Sequence, residues 1–447
     1  MNSNHDLTKG SVFQTLTAFA LPFLAANFLQ ALYGATDLFV AGQFSGTSAI
    51  SAVNIGSQIM QLITSFVIGC SMGTTVTLGV RIGSRENEKA AQILGNSVIL
   101  FAIFSLVITP GMLWQTGNLA AMMQTPAESF QETITYVTIC SAGIPFIVIF
   151  NVVAAVLRGL GDSKTPMYIV AIACVINIGG DLLLTGLFHR GVAGVAIATT
   201  AAQAISSFCG LWMIRRRGLP FQFSRRDVAW SGPVSKSICV VGLPIALQDT
   251  LINLSFMVLT VIANHRGLVA SSAVGVGERL IMFMFLVPSS MLSAISAITA
   301  QNIGANKPER AVQSLKYGIL ITGVFGAFMC MISWLCPQTL TGIFSKDAAV
   351  IAAAGEYLKT YSIDCILCAV TFCINGYLCG IGKSIYTFLH NVISIFLVRI
   401  PAAYFLSLWF PESLLPMGLA SPLGSVASIL MLSVILLSLR RKEHRLT

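Results

Sequence analysis

Five acidic residues sit where acids are costly. Asp37, Asp181, Asp249, Glu278 and Asp364 all fall inside long apolar runs. An ionisable group at the centre of a membrane helix costs at least ~2.5–3.5 kcal/mol, so such groups usually have a task. A buried carboxylate is the simplest coupler of an ion gradient, taking up H⁺ or Na⁺ on one side and releasing it on the other. Asn177 and Asp181, in NIGGDLL, are four residues apart and share one helix face. An amide beside a carboxylate can complete an oxygen cage or bond to the protonated acid; the plainer reading is a polar pair between packed helices. Asp37 lies in GATDLFVAG near the outer end of its run, with Pro22 fifteen residues earlier. Proline removes a backbone hydrogen bond and permits a bend. A helix with a hinge and a buried acid can move when the acid changes charge; a static kink and a wet helix-end carboxylate are the alternatives.

The second half carries Asp249 in LPIALQDTLIN, Glu278 beside Arg279 in VGVGERL, and Arg399 in VRIP just before Pro401. On a structural reading Arg399 is a fixed charge that one acid, Glu278 foremost, pairs with and neutralises. On a functional reading Asp249 and Glu278 belong to a second cation site. Asp364 is expected near an interface. Met72, Met282, Met284, Phe283 and Phe285 could line an adaptable apolar pocket, or simply face core or lipid. Cys365 and Cys368 form a C-x-x-C without a histidine or second pair at ligand spacing, so they read as packing rather than as a metal site.

The elements that position these residues follow from composition. Of 447 residues 55% are hydrophobic and 10% charged, with a mean hydropathy of +0.82. A soluble domain carries about 25% charged residues, so most of this surface does not face water. The net charge of +9 could suggest nucleic acid, but Lys and Arg lie in short clusters between apolar runs. Twelve such runs centre on 13–41, 52–80, 92–113, 134–157, 166–188, 192–214, 237–262, 272–300, 311–335, 355–379, 386–409 and 417–439, each near the about 20 residues a spanning helix needs. The first is too long for a signal peptide and is read as a retained helix. With a cytoplasmic N-terminus, 20 of the 26 Lys and Arg fall in inner segments, four in outer loops, and Arg279 and Arg399 within helices. That bias predicts both termini in the cytoplasm and an even number of spans.

The chain also repeats itself. RIGSRENEKAAQ (81–92) lies on NIGANKPERAVQ (302–313) at a shift of 221, as RGLGDS (158–163) lies on CGIGKS (379–384); Leu21-Pro22 returns as Leu243-Pro244, one residue off. An even number of helices per half gives both halves one orientation. The predicted organisation is therefore an N-terminal bundle, 1–214, a basic linker, 215–236, and a C-terminal bundle, 237–447. Internal duplication with buried acids favours a carrier. There is no G-x-x-x-x-G-K-[ST] for ATP and no H-E-x-x-H, and His189, His265 and His390 are scattered, which argues against an intramembrane enzyme.

LPFLAANFLQALYGATDLFVAGQFSG (21–46), LRGLGDSKTP (157–166), NIGGDLLLTG (177–186), QNIGANKPERA (301–311) and VRIPAAYFL (398–406) together resemble the multidrug and toxic compound extrusion (MATE) transporters over nearly the whole chain. The resemblance implies an all-α, V-shaped fold of twelve transmembrane helices in two pseudo-symmetric six-helix bundles. It implies antiport of organic cations against Na⁺ or H⁺. The acid of the first helix and the Asn-x-x-x-Asp of the fifth look like the DinF-like branch. By that likeness Asp37, Asn177 and Asp181 carry the ion, Na⁺ included. Tyr136 and Thr199 are the supporting hydroxyls, and Pro22 the bend. Asp249 resembles the first C-terminal acid of the other large branch, whereas Asp364 departs from the place of the second. The expected protein is a monomeric, cation-coupled exporter of amphipathic cationic compounds in a bacterial inner membrane, with no cofactor beyond the coupling ion. The rival is a flippase for a lipid-linked precursor, a class with more helices and cationic cavities.

Overall fold

The computed structural model describes residues 6–443, and their regular structure is helical throughout. Twelve spans follow in order. They are α1 (Val12–Ser45), α2 (Thr47–Gly83), α3 (Asn87–Met122), α4 (Ala127–Ala142 and Ile144–Gly159), α5 (Lys164–Asp181 with a π-helical turn, Leu182–Leu187) and α6 (Gly191–Arg217). After the linker come α7 (Gly232–Asn264), α8 (Leu268–Met284 and Leu286–Gly304), α9 (Pro308–Leu335) and α10 (Ala348–Tyr361 and Ile363–Gly380). The last two are α11 (Ser384–Ile393, a π-helical turn Ser394–Arg399, Ile400–Trp409) and α12 (Leu415–Gly418 and Ala420–Glu443). Each predicted run falls on one of these spans. Large apolar side chains such as Leu106, Val175 and Leu335 are exposed on them, as expected of helices bathed in lipid.

Local chemistry shapes the spans. α4 bends by 47° where Gly143 separates its halves; Pro145, in the first turn of the second half, has no N–H to carry the ladder across. α10 begins earlier than predicted, at Ala348, and carries Glu356 and Lys359 within its first half. Asp347 caps it, accepting from the backbone N–H of Ala349 (2.8 Å) and Val350 (3.1 Å). Gly69 lies against Ala246, and Gly73 against the backbone of Ile238 and Gly242, with no room for a Cβ at either. α2 thus crosses α7 at backbone contact, as small residues allow in membranes.

The chain packs as two compact units. The first holds Leu21–Ala246 and Gly304–Asn306; the second holds Lys9–Ala20, Leu247–Ile303 and the chain from Lys307. Ala52, Val53, Val67, Leu78, Val137 and Val156 lie in the core of the first, and Ala273, Ile281, Tyr357 and Leu358 in that of the second. Between α6 and α7, residues 218–231 are fastened to α3. The Asn96 amide donates to Ala229 O (3.1 Å), and its oxygen accepts from Ser231 N (2.7 Å) and Ser235 Oγ (3.1 Å). Gly95 lies against the Asp227 carbonyl with no space for a side chain.

Candidate ion-coupling site

Three helices of the first unit meet around a cluster of buried oxygens. α1 supplies Asp37, α5 supplies Asn177 and Asp181, and α6 supplies Thr199. Asp37, Asn177 and Asp181 are 5%, 1% and 0% exposed. Thr199 Oγ1 accepts from the Asn177 amide (3.3 Å) and lies 3.2 Å from Asp37 Oδ2 and 3.0 Å from Val195 O. Its single proton can serve only one of those two acceptors. The Asp181 carboxyl faces that of Asp37. Four buried oxygens have no hydrogen-bond partner: Asp37 Oδ1, Asn177 Oδ1 and both oxygens of Asp181. Beside them is a small cavity lined by Tyr33, Ala173, Asn177, Thr199, Ala202 and Gln203.

Asn177 and Asp181 share a face, as their spacing predicts, and the π-helical turn starts directly after Asp181. Such turns are frequent at functional sites. Tyr136 is buried, with its ring in the slot left by Gly56 and Asp37 within electrostatic reach. Pro22 stands inside an unbroken α1, about 22 Å along the axis from Asp37 at 1.5 Å per residue. Tyr33 and Gln203 escape the sequence reading, although each lies one helical turn from a predicted residue, Asp37 and Thr199 respectively. Both line the small cavity beside the cluster.

The second unit has a polar cluster of different composition. Arg399, 8% exposed, places its guanidinium 4.4 Å from the centre of the Phe256 ring and donates from Nη2 to the Tyr361 hydroxyl (3.3 Å). Asp364 is 2% exposed and accepts from Ser421 Oγ (2.9 Å). Glu278 accepts from Thr260 Oγ1 (3.2 Å). The expected direct pairing of Glu278 with Arg399 is not made: among the described residues their charges interact without coming within ion-pair distance. Phe256 and Tyr361 occupy the guanidinium instead. Asp364, given little weight from sequence, is the more buried acid beside Arg399. Asp249 is only partly buried and neighbours Cys379. Met72 and Met284 are buried but Met282 and Phe283 are exposed, so these residues do not line one pocket. Cys365 and Cys368 contact Met284 and Ser425, and no cluster of three or more His, Cys, Asp or Glu suited to a metal occurs among the described residues.

Twelve apolar spans in duplicated halves, with carboxylates buried among helices, define a polytopic membrane transporter. The MatE family model matches residues 22–183 and again 244–405, and the chain belongs to that family. "Probable multidrug resistance protein YpnP" of Bacillus subtilis is 26% identical over 416 residues, 93% of each chain. An "FAD transporter" of Shewanella oneidensis is 27% identical over 371 residues, 81% of this chain and 80% of that one. A crystal structure of MATE in complex with MaL6 is 22% identical and covers 99% of this chain and 100% of its own, with a TM-score of 0.92. An outward-facing multidrug resistance MATE transporter scores 0.91 at 22% identity, covering 99% of each. The fold is therefore that of the MATE transporters.

Proposed function

We propose that this protein is a cation-coupled antiporter that exports amphipathic, often cationic organic compounds. The observation that carries the reading is the set of four unpartnered, buried oxygens on Asp37, Asn177 and Asp181. Two carboxylates facing each other in a medium of low polarity are stable only when neutralised. A shared proton joins them; Na⁺ is held by the carboxylates and the Asn177 carbonyl, with Thr199 completing the ring of oxygens. Either ion competes with a cationic substrate for the same negative charge, so uptake of the ion on one side drives release of the substrate there. Pro22 lets α1, which carries Asp37, respond to that exchange. The halves 1–214 and 237–447, joined by 215–236, are the moving parts of an alternating-access cycle in a monomer with cytoplasmic termini. Curated relatives named for multidrug resistance or multidrug export support the substrate class.

The test is efflux of ethidium from proteoliposomes under separately imposed Na⁺ and pH gradients, with Asp181→Asn as control. Gradient-driven efflux that disappears in the variant identifies the coupling ion. Folded wild-type protein that moves no ethidium under either gradient refutes the reading.

A further inference from the structure

The two polar clusters are related by the internal repeat, and the relation assigns a role to Arg399. In α5 and α11 the offset is 222 residues, the spacing between the ends of the two family matches, 183 and 405. At that offset Asn177, Asp181 and Thr185 fall on Arg399, Ala403 and Ser407, and all six are buried. Leu182 and Leu183 fall on Tyr404 and Phe405, all four exposed. Thr199 falls on Ser421, and each hydroxyl contacts a buried acid, Asp37 at 3.2 Å and Asp364 at 2.9 Å. In the preceding helices, at 221, the Gly56–Tyr136 slot recurs as Gly277–Tyr357, each ring pressed on its glycine. The scaffold is thus shared while the charges are not. Each cluster has two acids: Asp37 and Asp181 in the first, Glu278 and Asp364 in the second. The first has no basic side chain among the residues of its cluster; the second has a guanidinium where the first has an amide.

We propose that Arg399 is the built-in cation of the second unit, standing where the first unit takes an exchangeable ion, so that only the Asp37–Asp181 site turns over the coupling cation. Arginine suits this task. Its charge persists at every pH the protein meets. Here the guanidinium is anchored on Phe256 and Tyr361, with Asp364 and Glu278 in electrostatic reach. Its Nε has no partner and Asp364 Oδ1 accepts no bond, so the acid is balanced by charge rather than saturated by hydrogen bonds. The second unit then keeps a fixed electrostatic state throughout the cycle. The inference rests on the ion-exchange reading of the first unit.

The experiment measures binding of radiolabelled Na⁺, and in parallel proton uptake in weakly buffered solution, by the full chain in nanodiscs. Wild type is expected to take up one exchangeable cation and Asp181→Asn none. Arg399→Asn in the Asp181→Asn background is expected to restore one cation, lost again when Asp364→Asn is added; Arg399→Lys restores none. The proposal is overturned if Asp181→Asn alone still binds a cation that Asp364→Asn removes, since the second unit would then exchange ions with Arg399 in place. It is equally overturned if the folded double variant, Arg399→Asn with Asp181→Asn, binds none. Should the Arg399→Asn chains fail to fold, Asp181→Asn with and without Asp364→Asn decides alone. Binding insensitive to both acids would sink the first-unit reading and this inference with it.

Discussion

Replacing Asp181 by Asn should make the protein indifferent to the ions that stabilise the wild type. Two carboxylate charges about 4 Å apart repel by about 4 kcal/mol at an effective dielectric of about 20, and neither oxygen of Asp181 has a hydrogen bond to offset this. In Na⁺-free buffer alkaline enough to strip the proton the pair shares, the wild type carries that repulsion. Adding Na⁺, or lowering the pH so that the pair takes a proton, relieves it. A ligand at a hundred times its Kd stabilises by ~2.7 kcal/mol. For a chain of this length that is roughly 3–5 °C in Tm, scaling the usual 2–4 °C per kcal/mol of mid-sized domains down with size. The amide introduced by Asp181→Asn carries no charge, so the variant should melt above the wild type in ion-free alkaline buffer and shift by less than about 1 °C on either addition. The assay is a thermal melt of purified protein in detergent, with K⁺ replacing Na⁺ at constant ionic strength. A variant that follows the wild type, degree for degree, on adding Na⁺ and on lowering pH would refute the reasoning, because the stabilising ion would then bind elsewhere.

Thr199→Ala removes the hydroxyl between Asn177 and Asp37. At ~0.5–1.5 kcal/mol for one hydrogen bond, cation affinity should fall about two- to tenfold, read from the midpoint of the same melt against ion concentration. Pro22→Ala restores a backbone donor inside α1 and should slow ethidium efflux while leaving the cation-dependent Tm shift intact; an unchanged rate would make Pro22 a static kink. Gly56→Ala and Gly277→Ala each drive a methyl into a tyrosine ring and should destabilise by ~1–3 kcal/mol. Gly34→Ala, in α1 with open space around its Cα, should be neutral or slightly stabilising. Glu86 bonds to Lys89 (2.7 Å) and Arg81 (2.5 Å), which hold its carboxyl below the ordinary carboxylate range. That contribution is complete above about pH 4.3 and is lost as pH falls through the lower folded value. The pair lies at the surface, with the Glu86 side chain 34% exposed and open to screening, so Glu86→Gln should leave Tm nearly unchanged at physiological salt.

Much of this fold is written in hydropathy, because a membrane helix must be apolar along about 20 residues whatever it packs against. All twelve predicted runs coincide with spans for that reason, and the helical period places Asn177 and Asp181 on one face. What stays illegible depends on which face meets which neighbour. Asp364 and Asp249 are both acids in apolar runs, yet one is buried against Ser421 and the other is partly exposed. No spacing within either helix distinguishes them. Tyr33 and Gln203 are hidden because a tyrosine or glutamine in a span is ordinary until α1 and α6 are brought together. In the sequence Glu278 and Arg399 pair by charge alone, and the aromatic rings beside the guanidinium cannot be inferred from chain position.

The fastening of residues 218–231 to α3 bears on how this chain can be divided. A gene split between Leu219 and Gln222 would place Ala229, Ser231 and Ser235 on the C-terminal fragment and Asn96 on the N-terminal one. The two fragments would then meet through a ready-made seam, the Asn96 bonds and the Gly95 contact, rather than through helix faces alone. A split beyond Ser235 would leave that seam within one polypeptide and ask the fragments to find each other without it. Co-expressed halves cut at the first position should therefore reassemble in better yield than halves cut at the second.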